Sequence, residues 1–408
     1  MSPERIADAV EAAMEEIWRG ERSRRLGPGA KIAVTAGSRG IANYAEILRH
    51  AVRWLKSRGY RPFLFSAMGS HGRGEEEGQQ EVLTSLGITG ETVGCEVSCS
   101  SSVERIGLFE AFGREIPVYC AKEALESDGI VVINRVKPHT SFHGDYESGL
   151  LKMMAVGMGR APGAEVFHSL GAAHLPEMLP LIAVRVLERA PVVGGIGIVE
   201  NEREQTAIVE GIPHHLIFER EKALLERARS MKPRLPVKRA DLLIVGEMGK
   251  NFSGTGMDTG VIGRIHIHGI PEPQEPSFTY IGVLRLSEES HGNATGIGLA
   301  DLTTEALVRR IDKKATYYNC ATSGFVKRAA IPMTFPDDRT LVEEAVRMLR
   351  ISDLKRLRMV AIRNTLHIHR LWVSEAVWRE IENLPGVEPG GRPRPISFDE
   401  YGNWIWQD

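Results

Sequence analysis

Cysteine is scarce in this chain, and long apolar runs are missing. Only four of its 408 residues are cysteine, at Cys95, Cys99, Cys120 and Cys320. So few and so scattered thiols exclude a disulfide-stabilised scaffold. No apolar run approaches the roughly 20 residues that cross a bilayer, and the first 25 residues lack the basic and apolar segments of a signal peptide. The sequence therefore predicts a soluble, cytoplasmic protein that is not embedded in a membrane.

An excess of charge of either sign is also missing. Lysine and arginine number 51 and aspartate and glutamate 53, for a formal net charge of −2. A chain without a basic excess is poorly suited to neutralise a phosphate backbone, so we do not expect a nucleic-acid-binding protein. Hydrophobic residues make up 42% and charged residues 25%, as in ordinary globular proteins.

Short apolar segments alternate with stretches of helical periodicity, and this order predicts an α/β fold with largely parallel sheets. Strands are predicted at residues 31–35, 61–67, 129–134, 240–245, 280–286 and 358–362. Helices are predicted at residues 6–17, 44–57, 75–86, 215–229, 302–311 and 341–349. A proline-rich stretch at residues 231–236 predicts two domains, residues 1–232 and 233–408.

Lys152 lies among apolar residues, since its neighbours from 150 to 156 offer no polar face to share. Burial would favour the neutral amine, which is the form that acts as a nucleophile or anchors a cofactor covalently. The alternative is a lysine whose stem is buried and whose ammonium reaches water. His168 lies sixteen residues further on. Because Pro162 and several glycines interrupt the helix, the chain can fold back and bring His168 to Lys152, although an ordinary surface or core histidine is the alternative.

Polar side chains also follow three of the predicted strands, at the edge where α/β sheets bind ligands. Arg39 follows the first strand, His71 the second, and His139 and His143 the strand at 129–134. Histidines on separate strand ends could face one ligand from opposite sides as acid and base. Arg39 could grip a carboxylate or a phosphate. Loops that are merely solvated are the alternative.

A glycine-rich loop follows the predicted strand at 240–245. It holds Lys250, Asn251 and Gly254 and reads either as a second anion-binding wall or as a tight connection. The chain has neither the dinucleotide-binding fingerprint nor a phosphate-binding P-loop at these positions, which disfavours ordinary NAD or ATP binding.

Five short motifs, taken together, resemble the nickel-dependent lactate racemase superfamily, in particular its uncharacterised branch. They are MGSHG at 68–72, VKPHT at 136–140, ESGLLK at 147–152, GAEVFH at 163–168 and GKNFSGTGMD at 249–258. The resemblance implies a nickel-pincer nucleotide, a pyridinium-3,5-bisthiocarboxylic acid mononucleotide that holds Ni(II) through sulfur, carbon and sulfur. It implies the following roles: tether, Lys152; nickel ligand, His168; acid and base, His71 and His139; cofactor binding, Arg39, Lys250, Asn251 and Gly254.

The activity that the resemblance implies is racemisation or epimerisation of a 2-hydroxy acid by reversible hydride transfer. One histidine takes the hydroxyl proton while the α-hydride moves to the cofactor, and the hydride returns to the other face of the transient 2-keto acid. Cofactor-synthesis proteins are implied as partners, and the second domain would close an active-site cleft with its glycine-rich loop.

The chain also departs from lactate racemase itself. The stretch from His139 to Lys152 is longer, so His143 competes with His139 for the role of base. The first loop lacks the acid of the racemase's arginine loop, which disfavours lactate as the substrate. Two alternatives remain: a zinc hydrolase that uses His71, His139 and His143, and a non-catalytic protein that binds a nucleotide or a carboxylate.

Overall fold

The structure, a computed structural model, describes residues 1–38, 40–140, 142–201 and 203–407. The described residues form two compact units, Met1–Lys232 and Pro233–Asp408. Each unit has a largely parallel sheet combined with helices, which confirms the predicted α/β fold class. Arg39, predicted to bind cofactor or substrate, lies outside the described residues.

The first unit is built on a largely parallel central sheet. Its described strands are β1 (Lys31–Ala36), β2 (Arg61–Ser66), β3 (Val97–Ser98), β4 (Val103–Ala111), β5 (Arg114–Ala121), β6 (Gly129–Arg135), β7 (Val192–Glu200) and β8 (Thr206–Pro213). The sheet has the order β3-β2-β1-β6-β7-β8, with β8 antiparallel to β7 and the other neighbours parallel. Strands β4 and β5 form a separate hairpin.

Helices connect these strands. They are α1 (Pro3–Trp18), α2 (Glu21–Arg24), α3 (Tyr44–Ser57), α4 (Glu76–Ser85), α5 (Gly90–Val93), α6 (Lys122–Leu125), α7 (Leu150–Lys152), α8 (Arg160–His168), α9 (Leu175–Arg189) and α10 (Ile217–Met231). A π-helical turn, Met153–Gly157, follows α7 directly. Short 3₁₀ turns lie at Gly72–Gly74, Ala172–His174 and His214–Leu216.

The central strands bury both of their faces. Ile32 and Val34 of β1 point into the core formed with α1 and α3, whereas Ala33 points into the core formed with α9. Successive side chains of a strand point to opposite faces, so a sheet covered on both sides needs nearly continuous apolar strands. This requirement explains why β1, β2 and β6 were predicted from the sequence, although β7, which is buried to the same extent, was not.

The second unit repeats this design. Its strands are β9 (Arg239–Met248), β10 (Ser277–Leu286), β11 (Leu302–Thr304), β12 (Met333–Phe335), β13 (Met359–Ile362) and β14 (Trp372–Val373). Their order is β12-β11-β10-β9-β13-β14, with β14 antiparallel to β13 and the other neighbours parallel. Its helices are α11 (Thr259–Ile262), α12 (Glu305–Val308), α13 (Lys313–Ser323), α14 (Asp338–Met348) and α15 (Glu375–Ile381). Its 3₁₀ turns are Glu288–Ser290, Ile297–Leu299, Val326–Ala329 and Leu354–Arg356.

One predicted helix is wrong. Residues 302–311 contain the strand β11 and only the short helix α12. Thr303 and Thr304 are fully buried between β10 and β12, and β-branched side chains fit such a position. The Thr304 hydroxyl accepts a hydrogen bond from the Leu307 amide and so starts the helix three residues later than its apolar pattern indicates.

Helix length and hydropathy were also compared with what a bilayer requires. In the part of the chain that the structure describes, no single helix meets both requirements. The segments Arg160–His168 and Ala172–Arg189 meet them only as a pair, which is bent by 100°.

Candidate active site

The loops that follow β1 and β2 both pack against the π-helical turn Met153–Gly157. A Cβ atom added to Gly37, just after β1, would lie 2.9 Å from Cε of Met153. One added to Gly69, after β2, would lie 3.1 Å from Cγ1 of Val156, and Gly69 has a φ of +60°. The positive φ favours glycine at position 69, and a side chain at position 37 would have to displace the Met153 methyl group. Because of this packing, the segment after Lys152 lies at the carboxyl edge of the sheet.

Helix α7 is fixed to the sheet on its other side. Asn134, at the end of β6, donates a hydrogen bond from Nδ2 to the Gly149 carbonyl oxygen at 2.7 Å. A Cβ atom added to Gly195 of β7 would lie 2.9 Å from Leu150 Cδ1, so the helix lies directly on the strand. The turn that carries Lys152 is thus held by two neighbouring parallel strands.

Three of the predicted site residues lie around one aromatic cluster. The amine of Lys152, which is half-buried, is 5.7 Å from the centroid of the Phe142 ring. The His139 ring stacks on Phe142 with centroids 4.3 Å apart. Phe142 also packs edge-on against Phe167 at 6.3 Å, and Phe167 against His168 at 5.1 Å. Lys152 and His139 therefore both contact Phe142, and His168 follows Phe167, which packs on Phe142; the sequence analysis did not single out either phenylalanine.

Both imidazoles of this cluster are held in the neutral form at pH 7. Burial, followed by the positive charges of Lys152 and Lys137, lowers the pKa of His139 well below its ordinary value. Desolvation and then the charge of Lys152 lower the pKa of His168 to about 4; this residue is exposed as a whole, so water reaching the ring weakens the shift. A neutral imidazole can accept a proton or bind a metal ion.

Glu147 organises the loop that carries His139 and His143. Its side chain is fully buried and accepts hydrogen bonds from Arg229 of α10 at 2.6 Å, from Nδ1 of His143 at 3.2 Å and from the backbone amide of His139. Burial alone would raise the pKa of this carboxyl, but the bonds from His143 and Arg229 outweigh it and the pKa is lowered. The buried carboxylate therefore stays ionised and fixes the loop.

The two histidines of this loop differ in environment. His139 is half-buried against Phe142, whereas the side chain of His143 is 64% exposed. One ring nitrogen of His143, Nδ1, is hydrogen-bonded to Glu147. The geometry favours His139 over His143 as the group that meets a ligand near Lys152.

A second buried ion pair fixes the helix that carries His168. Arg160, at the start of α8, is buried and pairs with Glu123. It also donates to the carbonyl oxygens of Ser66 at 3.2 Å and Ser102 at 2.8 Å. These bonds tie α8 to the end of β2. Arg160 has a positive φ, 52°, where α8 begins after the π-helical turn.

His71 occupies the loop after β2 and is exposed. Its Nδ1 lies 2.8 Å from the carbonyl oxygen of Met68. Because a carbonyl only accepts, Nδ1 carries the proton, and Nε2 holds the lone pair when the ring is neutral. The loop packs against the π-helical turn through Gly69, so His71 shares the edge of the sheet with the cluster.

The glycine-rich loop belongs to the second unit, where several of its polar groups have hydrogen-bond partners. The Lys250 amine donates to the Gly254 carbonyl at 2.6 Å and to Oδ1 of Asn319 at 2.8 Å. Oδ1 of Asn251 accepts from the hydroxyl of Ser287 at 2.7 Å. Cofactor binding by Lys250, Asn251 and Gly254 stays a prediction.

Metal sites in proteins are built from clusters of histidine, cysteine and acidic side chains. Over the residues whose placement is described, no three of them come together as a set of metal ligands. His71, His139 and His143, which the zinc-hydrolase alternative needs as a set, are among the residues compared. A cofactor that brings its own metal donors needs one imidazole from the protein, and His168 offers one beside Lys152.

Several residues that shape the site were missed by the sequence analysis. Glu147, Arg160 and Glu221 are charged-type residues that are almost completely buried. A signal existed for Glu221, because it occupies the apolar stripe of α10 together with Leu224 and Leu225. Its meaning depends on what packs against that stripe, which one sequence does not contain.

Comparison with known proteins gives a distant structural neighbour. No family model matches the chain, and no curated protein matches it in sequence. Among solved structures, the chain is similar to the lactate racemase apoprotein from Thermoanaerobacterium thermosaccharolyticum. The two are 12% identical, the match covers 83% of this chain and 84% of that chain, and the TM-score is 0.49.

Proposed function

We propose that this protein is a racemase or epimerase of a 2-hydroxy acid that works with a nickel-pincer nucleotide attached to Lys152. The observation that carries the proposal is the placement of the Lys152 amine and the imidazoles of His139 and His168 around Phe142. The order of the motifs around His71, His139, Lys152 and His168 supports it further.

The donor set is compatible with this cofactor. The half-buried amine of Lys152 would hold the nucleotide covalently, and the neutral imidazole of His168 would supply the one nickel ligand that comes from the protein. When bound, the group supplies an acceptor and donor for the α-hydride of the substrate. Aromatic walls from Phe142 and Phe167 keep water away from this side of the site.

The chain's own residues would then move the proton. The neutral ring of His139 would take the proton from the hydroxyl of one enantiomer and return it when that enantiomer forms again. His71, with its proton held on Nδ1 by Met68, would serve the opposite enantiomer through Nε2. Glu147 keeps the His139 loop in place, because its carboxylate accepts a hydrogen bond from the backbone amide of His139.

Expression with and without the cofactor-synthesis proteins tests the proposal. We expect bound nickel and a mass increase on the peptide that contains Lys152, and both should be absent from Lys152→Ala. Lys122→Ala, which changes an exposed lysine of the same unit, is the matched control. Chiral chromatography over a panel of 2-hydroxy acids then measures turnover.

Each other outcome points to a different function. If the wild-type protein shows neither bound nickel nor a mass increase, the proposal is contradicted. Hydrolysis together with metal retention in Lys152→Ala would favour the zinc hydrolase. A bound nucleotide without turnover of any acid in the panel would favour the non-catalytic binding protein.

A further inference from the structure

A buried acid lies beneath the turn that carries Lys152. Glu221 of α10 is almost completely buried, and its Oε2 accepts a hydrogen bond from the backbone amide of Leu151 at 2.9 Å. Leu151 precedes Lys152, so this bond is made to the first turn of α7. Among the described residues, Oε1 of Glu221 has no hydrogen-bond partner.

The fit between Glu221 and this turn is close. A Cβ atom added to Gly149 would lie 2.3 Å from Oε1 of Glu221, so the carboxyl approaches the backbone where only glycine leaves room. The Gly149 carbonyl accepts from Asn134 at 2.7 Å and from the Met153 amide at 3.0 Å. The turn is thus held between β6 on one side and α10 on the other.

Burial of the Glu221 carboxyl at this position is unfavourable for the stability of the fold. Burial raises the pKa of its carboxyl to about 8, against only partial compensation by the amides of Leu151 and Leu150. Its neighbours in the stripe of α10, Leu224 and Leu225, are buried and apolar, and an apolar residue at 221 would avoid this cost. Because this acid is unfavourable for stability and contacts the turn of Lys152, we infer that it has a function at that turn.

We propose that Glu221 is a positioning residue, which fixes the direction of the Lys152 amine by capping the turn at Leu151. The inference rests on the proposed function only in taking Lys152 as the functional amine. Through the capped turn, the amine is presented to Phe142 and to the imidazoles of His139 and His168 instead of swinging into solvent.

Competitive acetylation of the cofactor-free, full-length chain tests this inference. Mass spectrometry gives the acetylation rate of Lys152 relative to the exposed Lys122 in the same molecule. In Glu221→Ala we expect this ratio to rise about fivefold, because one hydrogen bond of ordinary strength no longer holds the turn. In Glu221→Gln the amide oxygen still accepts from Leu151, so the ratio should stay near that of the wild type.

Two further variants complete the design. Glu219→Ala removes an exposed acid of the same helix and should leave the ratio unchanged. Gly149→Ala displaces the Glu221 carboxyl from the other side and should raise the ratio, which decides the matter if Glu221→Ala does not fold. Circular dichroism and thermal unfolding identify the folded variants.

Two results would overturn the inference. One is an unchanged ratio in folded Glu221→Ala or Gly149→Ala, and the other is a rise in Glu221→Gln as large as in Glu221→Ala. Since the measurement uses no cofactor, it is independent of the proposed function. Absence of nickel would contradict that function and leave this result standing, and the converse also holds.

Discussion

The amines of Lys152, in the first unit, and Lys250, in the second unit, lie beside different kinds of chemical group. The Lys152 amine lies over an aromatic ring, near two imidazoles that are neutral at pH 7. The Lys250 amine instead donates to the carbonyl oxygen of Gly254, in its own loop, and to Asn319. Lys250 therefore stabilises its own turn, whereas Lys152 is placed beside groups that can do chemistry.

The supporting residues of the two segments differ in the same way. Beneath the Lys152 segment, α10 supplies Arg229 to Glu147 and the buried carboxyl of Glu221 to Leu151. The loop of Lys250 is held by uncharged partners, such as the Ser287 hydroxyl that donates to Asn251. Buried charged side chains that lower stability but fix a segment are typical of a site that must hold a reactive group in one direction.

Loss of His139 should have the largest effect on this comparison. We expect His139→Ala, in cofactor-loaded protein, to lower kcat by about 10²- to 10⁴-fold, the usual loss on removing a general base. Chiral chromatography of the reaction gives kcat. The matched control is His143→Ala, four residues along the same loop, which should show no comparable loss. The reverse pattern would assign the base to His143.

Glu221 should make the stability of the first unit depend on pH. Its pKa of about 8 in the folded state exceeds the ordinary value of 4.5, so the acid is protonated when folded and ionised when unfolded between these pH values. Stability that is complete below pH 4.5 is therefore lost as the pH rises towards 8. Relative to Glu221→Gln, the wild type should lose on the order of 3 kcal/mol at pH 7 and under about 1 kcal/mol at pH 5.

Urea unfolding at the two pH values measures this difference. The exposed acid of the same helix is the control, and Glu219→Gln should give a difference from wild type that does not change with pH. The same difference at both pH values for Glu221→Gln would show that this carboxyl is not held neutral by the fold.

Local patterns in the sequence predict some of the fold and none of the buried polar support. The strands β1, β2 and β6 were predictable because apolar runs report local structure directly, whereas β7 was not predicted. Phe142, Glu147 and Glu221 were not, because each matters through a partner distant in the chain, such as Arg229 for Glu147. The strand β11 was missed because parallel pairing with β10 overrides the helical pattern of residues 302–311.

Removal of the Lys250 amine should affect stability and leave the attachment at Lys152 intact. Lys250→Met loses hydrogen bonds to Gly254 and Asn319, which should cost about 1–2 kcal/mol in the unfolding of the second unit. Lys355→Met, at an exposed lysine of that unit, is the control and should cost nothing measurable. If Lys250→Met unfolds normally but loses the cofactor, Lys250 binds the cofactor and the contrast with Lys152 disappears.

His143 should contribute least. Its ring is mostly exposed, and its bond to Glu147 is supplemented by that of Arg229, so His143→Ala should cost no more than about 0.5 kcal/mol in urea unfolding. Arg229→Ala, which leaves the buried carboxylate without its strongest partner, should cost clearly more. A loss in His143→Ala as large as in Arg229→Ala would mean that the His143 ring is needed to hold the loop.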